Sequence, residues 1–176
     1  MKQHNGMRPQ DIVVLLKLIV LDKPKWRQLE LSKMLYMSQS ELSEGMNRCK
    51  IAGLVDERKK VVDKAALFEF LVHGIKYVFP LEAGRLVYGI KTAHSTDSLQ
   101  NLFPENQEDI FVWEMKGGTV KGQALTPLHK NVALAAKDDP KLYELLALVE
   151  VIRLNREEEQ DIVVVKLKEL MGVSAG

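Results

Sequence analysis

Residues 29 to 43 read Leu29-Glu30-Leu31-Ser32-Lys33-Met34-Leu35-Tyr36-Met37-Ser38-Gln39-Ser40-Glu41-Leu42-Ser43. Ser38 and Glu41 have the spacing of a capping box, in which the serine hydroxyl accepts the amide of the glutamate and the glutamate reaches back to the cap amide. One helix is therefore expected to begin after Ser38. Another, from about Arg27, should end just before that serine.

The helix after Ser38 has an apolar stripe at i, i+4 and i+7 spacing, made by Leu42, Met46 and Cys49. Gly53 is a typical residue for its end. Upstream, Pro9 and Asp11 predict a first helix that extends to about Leu21. The chain thus begins with three helices, and the last two are joined by a tight turn. That arrangement is the core of a helix-turn-helix.

The packing requirements of that motif are met. Ser32 provides a small residue where the two helices cross, and Gly45 permits close approach. Apolar side chains hold the crossing: Leu31, Leu35, Met37 and Leu42. The polar residues left outward are Gln39, Ser40, Ser43, Glu44, Asn47 and Arg48. Such side chains can hydrogen-bond to base edges or phosphates from a helix in the major groove. The alternative is a three-helix bundle with a merely solvated polar face.

A short basic segment follows the third helix. Residues 56–62 are too few for a full two-stranded hairpin, but Arg58, Lys59 and Lys60 can contact phosphates, which position a protein without reading sequence. The alternative for this triplet is a solvated loop. The candidate DNA-binding residues are Gln39, Ser40, Ser43, Asn47, Arg48, Lys50, Arg58, Lys59 and Lys60.

Residues 29–43, together with Met46, Arg48 and Ala52-Gly53-Leu54-Val55, closely resemble winged helix-turn-helix regulators of the MarR-like kind. The resemblance covers about residues 8–64 and implies a winged helix-turn-helix domain that binds duplex DNA. Residues 70–74 and 142–149 resemble the C-terminal part of a group of uncharacterised bacterial helix-turn-helix proteins, which implies no activity.

Three features depart from the MarR-like pattern. Tyr36 stands where such turns usually have glycine, which predicts a strained or altered turn. Glu44 stands where many relatives carry a basic residue; an acid facing phosphates weakens binding, whereas one in the groove can accept from cytosine N4. The third departure is the short wing.

The chain is divided by these patterns into a helix-turn-helix lobe, residues 1–64, and a C-terminal lobe, residues 65–176. The second lobe is predicted to contain a helix at 65–78, a polar loop at 95–108, strands at 110–115 and 119–125 joined as a hairpin by Lys116-Gly117-Gly118, and helices from Pro140 to about Leu154 and at 157–171. Nothing in residues 81–103 predicts order. The fold class is α+β and mostly helical.

Charge is distributed unevenly along the 176 residues. Residues 1–64 carry 13 Lys and Arg against 8 Asp and Glu, whereas residues 65–176 carry 12 against 16. The basic first part favours an anionic partner. A polar N-terminus, and an apolar run at 12–21 that is short and broken by Lys17, predict no signal peptide and no membrane span. One cysteine fits a reducing cytoplasm.

No enzyme site, cofactor or metal site is expected. The histidines His4, His73, His94 and His129 have no ligand-type spacing. His73 is interpreted as a hydrogen-bonded core residue, and Cys49 as a buried structural thiol. Trp113 is interpreted as core. The glycines at 117, 118 and 122 lack the context of a phosphate-binding loop and indicate a turn.

The expected function is sequence-specific binding of duplex DNA in transcriptional regulation, as a repressor and a homodimer. Apolar stripes on the last two helices should be core in most part, with some residues left for a dimer interface. The alternative is a protein-interaction module, for example an antitoxin-like one, whose helix-turn-helix does not contact DNA and whose 142–152 surface binds a protein partner.

Overall fold

The computed structural model of the protein describes residues 5–103 and 109–174. Within them the chain forms eight α-helices and three β-strands. The helices are α1 (Pro9–Leu21), α2 (Gln28–Leu35), α3 (Gln39–Ile51), α4 (Lys64–His73), α5 (Ile75–Val78), α6 (Val132–Asp138), α7 (Pro140–Leu154) and α8 (Glu157–Met171), and the strands are β1 (Leu86–Lys91), β2 (Phe111–Glu114) and β3 (Val120–Ala124). The expected α+β, mostly helical class is confirmed.

The ends of α3 follow from local chemistry. The Ser38 hydroxyl accepts the amide of Glu41 at 3.1 Å, as predicted. The Glu41 carboxylate, which was expected to reach back to the cap amide, instead lies 2.9 Å from His129 Nε2. At the other end Gly53 has a φ of +75°, and the Leu54 amide donates to the Cys49 carbonyl at 2.9 Å, which closes the helix in the usual glycine-dependent way.

A helix at the centre of the fold, α1, is buried on all sides from Asp11 to Ile19. It packs against α3 on one side and α7 on another. Gly45 is the contact point on α3, since a Cβ there would lie 2.9 Å from Asp11 Oδ1. Ser32 is also buried, so the predicted small residues at the helix crossings are confirmed.

The two charged side chains of α1 are each paired with a different helix. Asp11, fully buried, accepts from Arg48 Nε and Nη2, both at 2.8 Å. This hydrogen bond raises the pKa of Arg48 above its ordinary value. Near the other end, Lys17 Nζ lies 2.5 Å from Asp139 Oδ2, while Asp139 Oδ1 caps α7 by accepting the Leu142 amide at 3.2 Å.

The hydrophobic core runs continuously across the predicted lobe boundary at 64/65. Helix α7 lies inside it, with every residue from Leu145 to Arg153 buried. The 142–152 segment, to which the alternative interpretation assigned a protein partner, is therefore mostly core, with only Tyr143 and Glu144 half-buried. On α8, Ile162 and Val165 are exposed while Val163 and Leu167 are core.

The sheet differs from the sequence prediction. Strand β1, in a region for which no order was predicted, pairs antiparallel with β2 (Gly89↔Glu114) and with β3 (Leu86↔Gln123). Strands β2 and β3 also pair with each other, in parallel (Phe111↔Gln123), so the small sheet closes on itself. The turn at 115–118 is present, but the hairpin pairing predicted for its flanking strands is wrong.

Close backbone contacts make this closure possible. A Cβ at Gly89 would lie 1.9 Å from the carbonyl oxygen of Trp113, and one at Gly122 would lie 2.5 Å from that of Ile110. A Cβ at Gly118 would meet the backbone of Gly89 at 2.4 Å. Backbone atoms cannot move aside as a flexible side chain can, so the glycines set the spacing of the three strands.

Three smaller features of the fold also differ from the sequence prediction. The helix predicted at 65–78 is broken at Gly74 into α4 and α5, and α6 was not predicted. Part of the loop predicted at 95–108 forms 3-10 turns at Ala93–Ser95 and Gln100–Leu102, and residues 104–108 lie outside the described residues. In the described part of the chain, no helix combines the length and apolarity needed to cross a membrane.

Replacing Gly89 by alanine should destabilise the fold by about 3 kcal/mol, because the added methyl group meets a backbone carbonyl that cannot relax. Urea unfolding of Gly89→Ala measures this change. Gly117→Asn is the matched control, because Gly117 has a positive φ but open space around it; it should change stability by about 1 kcal/mol or less. Equal stability of Gly89→Ala and the wild type would contradict the strand spacing described.

Replacing Asp11 by asparagine should cost about 3 kcal/mol of stability, because it leaves the Arg48 charge buried without its counter-ion. Asp22→Asn, at the residue that follows α1, is the control. Asp22 is largely exposed and lies 3.9 Å from Lys64, and such ion pairs contribute little. Urea unfolding of both variants tests the difference, and equal effects would show that the Asp11–Arg48 pair does not stabilise the α1–α3 contact.

Candidate nucleic-acid interface

The exposed face of α3 carries four of the predicted contact residues. Gln39, Ser40 and Asn47 are exposed and Ser43 is half-buried. The opposite face holds the predicted apolar stripe of Leu42, Met46 and Cys49, which is buried as expected. Glu44 is exposed on the polar side. The structure thus brings short polar side chains together on one accessible helical face.

Arg48 was predicted on that face and is not there. It is only 7% exposed and its guanidinium is occupied by Asp11. A buried, doubly hydrogen-bonded guanidinium has no free edge for a base or a phosphate, so its placement among the DNA contacts was wrong. Its structural role could not be read from helical spacing, because the partner lies 37 residues away.

The wing, defined as residues 55–62, is a minimal hairpin. It has a single antiparallel bridge, Val55↔Val62, and the Asp56 amide donates to the Val61 carbonyl at 3.0 Å. The Asp56 carboxylate accepts the amides of Lys60 at 2.6 Å and Val61 at 2.8 Å. These backbone hydrogen bonds lower the pKa of Asp56 below its ordinary value of 3.8. The segment is thus shorter than a full two-stranded hairpin, as its length predicted.

Two polar contacts attach the wing to α3. Lys59 Nζ donates to Asn47 Oδ1, and Lys50 Nζ lies 2.7 Å from Glu57 Oε2. Lys50 therefore meets an acid of this chain, and its charge is partly neutralised. Arg58 is exposed and, within the described residues, has no ion-pair partner. The wing and the exposed polar face of α3 accordingly form one surface.

A shallow depression of about 190 Å³ lies between α3 and the wing. Its lining residues are Trp26, Gln28, Leu42, Ser43, Met46, Arg58, Lys59 and Lys60. Gln28 Nε2 donates to the Gln39 carbonyl at 2.7 Å, which joins the first turns of α2 and α3. Trp26 and Gln28 were missed by sequence reasoning. The signal for Trp26 was its position within the basic run Lys23-Pro24-Lys25-Trp26-Arg27.

The turn before α3 is held from the C-terminal part of the chain. Tyr36 has a φ of +54°, a left-handed conformation that favours glycine, so the strained form of the two expected turn geometries is present. Its carbonyl accepts from Asn131 Nδ2 at 2.7 Å, and its hydroxyl donates to Asp138. That hydrogen bond to Asp138 raises the pKa of Tyr36. With the Glu41–His129 contact, these bonds dock the start of α3 on the segment around α6.

The histidines, Cys49 and Trp113 were the other residues considered in the sequence. His73 is exposed and 3.6 Å from Glu69, so its interpretation as a core residue was wrong, whereas His94 and His129 are buried. His4 lies outside the described residues. Burial raises the pKa of the Cys49 thiol to about 12, as expected for a structural cysteine. Trp113 is fully buried, as predicted.

Replacing Asp56 by alanine should release the amides of Lys60 and Val61 and speed their hydrogen exchange, while α3 amides remain protected. Asp56→Asn is the control, because it keeps an acceptor oxygen. In the wild type the lowered pKa has a defined consequence: the carboxylate bonds stabilise the wing above the ordinary pKa and are lost as pH falls through the lowered one. Amide shifts of both residues on acid titration report this. Unchanged exchange in Asp56→Ala would contradict this role.

No family model, curated protein or solved structure matches this chain. Among the described residues no group of three or more His, Cys, Asp or Glu side chains is placed to hold a metal ion. The basis for a functional assignment is therefore the geometry of α3 and the wing, together with the charge around them.

Proposed function

We propose that the protein binds double-stranded DNA in a sequence-specific manner and regulates transcription as a repressor of nearby genes. The observation that carries the proposal is the single surface formed by the polar face of α3 and the cationic wing. The major groove admits an α-helix, and the wing places cations beside α3 where they could contact the backbone. Because duplex DNA is its target, the proposal places the protein in the cytoplasm.

The residues on α3 are suited to reading base edges. Asn side chains pair with adenine through an acceptor oxygen and a donor NH2 group, and serine hydroxyls hydrogen-bond to any base. Asn47 Oδ1 accepts from Lys59, but an amide oxygen has a second lone pair and the NH2 donors stay available. The wing therefore orients Asn47 while leaving its recognition edge usable.

The wing cations are suited to contacting the backbone. Arg58 and Lys60 stand on a loop whose conformation is fixed by Asp56, so they are presented at a defined distance from α3. Phosphate contacts of this kind set the register of a helix in the groove without reading sequence. Glu44, on the polar face of α3, is compatible with DNA where it accepts from cytosine N4.

Binding as a two-fold dimer is part of the proposal, since helix-turn-helix proteins commonly read two half-sites. The α7 stripe that suggested an interface is core, and the exposed apolar residues on the last helix are Ile162 and Val165. The alternative of a protein-interaction module loses support for the same reason, because the 142–152 segment it needed is buried.

Selection of duplexes from a random-sequence pool tests the proposed function. The wild type should enrich a common sequence, and Asn47→Ala should weaken binding to it by about 1–3 kcal/mol, the usual value of one good base contact. Asn101→Ala is the matched control, because Asn101 is an exposed asparagine that belongs neither to α3 nor to the wing. It should bind as the wild type does.

Two results would contradict the proposal. Absence of binding to any duplex at low salt would remove duplex DNA as the partner and favour a protein partner. Binding without enrichment, with Asn47→Ala equal to the wild type, would remove sequence-specific recognition by α3. Circular dichroism of each variant separates loss of contact from loss of fold.

A further inference from the structure

The loop between α1 and α2 carries a set of cations with no partner among acidic side chains. Its residues, here called the basic loop, are Lys23-Pro24-Lys25-Trp26-Arg27. Lys23, Lys25 and Arg27 are exposed. Within residues 5–103 and 109–174, none of the three forms an ion pair. Residues 23–27 contain no acid, so these three charges are not compensated within the basic loop itself.

The basic loop is attached to the wing through Trp26 and Lys60. Lys60 Nζ lies 3.9 Å from the centroid of the Trp26 ring, a cation–π contact. The same ammonium donates to the Trp26 carbonyl at 3.2 Å, and Trp26 Nε1 donates to the Lys60 carbonyl at 3.4 Å. Three contacts between one pair of residues hold the loop and the wing in a fixed relation.

The surface depressions show that the two segments adjoin. Trp26 lines the depression between α3 and the wing. A neighbouring depression of about 240 Å³ has both Lys23 of the loop and Lys60 of the wing in its lining. The basic loop therefore extends the proposed DNA-binding surface on the side of the wing.

Of the acids near these cations, Asp22, Asp56 and Glu57 have partners elsewhere in the chain, whereas Glu30 lines a depression together with Lys23 and Lys25. Glu57 pairs with Lys50 at 2.7 Å, and the Asp56 carboxylate is used by backbone amides of the wing. Asp22 faces Lys64 at 3.9 Å. Residues 23–27 of the basic loop and residues 58–60 of the wing contain no acid and together carry six cations: Lys23, Lys25, Arg27, Arg58, Lys59 and Lys60. A concentrated field of one sign attracts a polyanion and speeds its association.

We propose that the basic loop is a second phosphate-binding segment, in which Lys23, Lys25 and Arg27 contact the backbone of the duplex held by α3, and that Trp26 is a positioning residue that fixes the wing through Lys60. The inference rests on the proposed function, because it names how duplex DNA is held beyond α3 and the wing. The contacts are to phosphates, so they add affinity at every sequence and leave base preference unchanged.

Salt dependence of binding gives the sharpest test. Each phosphate contact contributes about 0.9 to the slope of log K against log salt. Lys23→Gln with Lys25→Gln should therefore make the slope shallower by about 1.8 on a random-sequence duplex between about 50 and 200 mM salt. The matched control is Lys116→Gln with Lys121→Gln, two exposed lysines by the sheet, which should retain the wild-type slope.

The outcomes separate the two proposals. A wild type that binds no duplex overturns the proposed function and with it the role of the loop. A wild type that binds, with equal slopes for the loop variant and the wild type, overturns the role of the loop while the proposed function stands. If the salt slope became equally shallow in the loop variant and in the control, only the total charge would matter. That result would also overturn the role of the basic loop.

The role of Trp26 is tested separately. Trp26→Ala should speed amide exchange at residues 58–61 and weaken duplex binding, because Lys60 loses the ring that holds it. Trp26→Phe keeps an aromatic face under Lys60 and should restore most of both. Wild-type exchange in Trp26→Ala would overturn the positioning role. Failure of Trp26→Phe to restore what Trp26→Ala loses would assign the effect to the Nε1 hydrogen bond instead.

Discussion

The buried pair of Asp11 and Arg48 determines which face of α3 is directed outward. It joins the first turn of α1 to α3 through two hydrogen bonds of 2.8 Å, in a site where Asp11 is inaccessible to solvent. Two charges can remain in such a site only when each satisfies the other, so the geometry tolerates little variation. With Arg48 directed inward, the face that includes Ser43 and Asn47 is directed outward. The orientation of the proposed DNA-reading surface thus depends on an ion pair that does not belong to it.

The same helix ties the two halves of the chain together. Lys17 of α1 pairs with Asp139, and Asp139 also caps α7. Tyr36 in the turn before α3 is held by Asn131 and Asp138. The segment that resembles a separate DNA-binding domain therefore shares its core and its polar anchors with the rest of the protein. A change in the C-terminal part has a direct route to the start of α3, through residues that touch both.

Local patterns in the sequence were sufficient for the parts of the fold that depend on neighbours along the chain. The hydroxyl of Ser38, the apolar stripe and Gly53 act within one helix, and α3 begins and ends where they predict. Arg48 and β1 depend instead on distant residues: Arg48 is buried because Asp11 meets it, and β1 pairs with strands that follow it by more than twenty residues. Gly118 was interpreted as part of a turn. Because Gly118 has no side chain, it also allows the backbone of Gly89 to approach closely. A glycine pattern alone does not distinguish these two uses.

The charge of the candidate site illustrates the same limit. An excess of cations in residues 1–64 was visible in the sequence, but the surface potential depends on which charges are consumed inside the fold. Asp11, Asp56 and Glu57 are each engaged by this chain's own donors. Arg58 and the three cations of the basic loop, in contrast, are exposed and form no ion pair among the described residues. Glu44 differs, because it stays exposed on α3 with no ion pair among the described residues. Under the proposed function Glu44 would have to lie over the groove, where it can accept from cytosine N4, because an acid next to a phosphate is unfavourable.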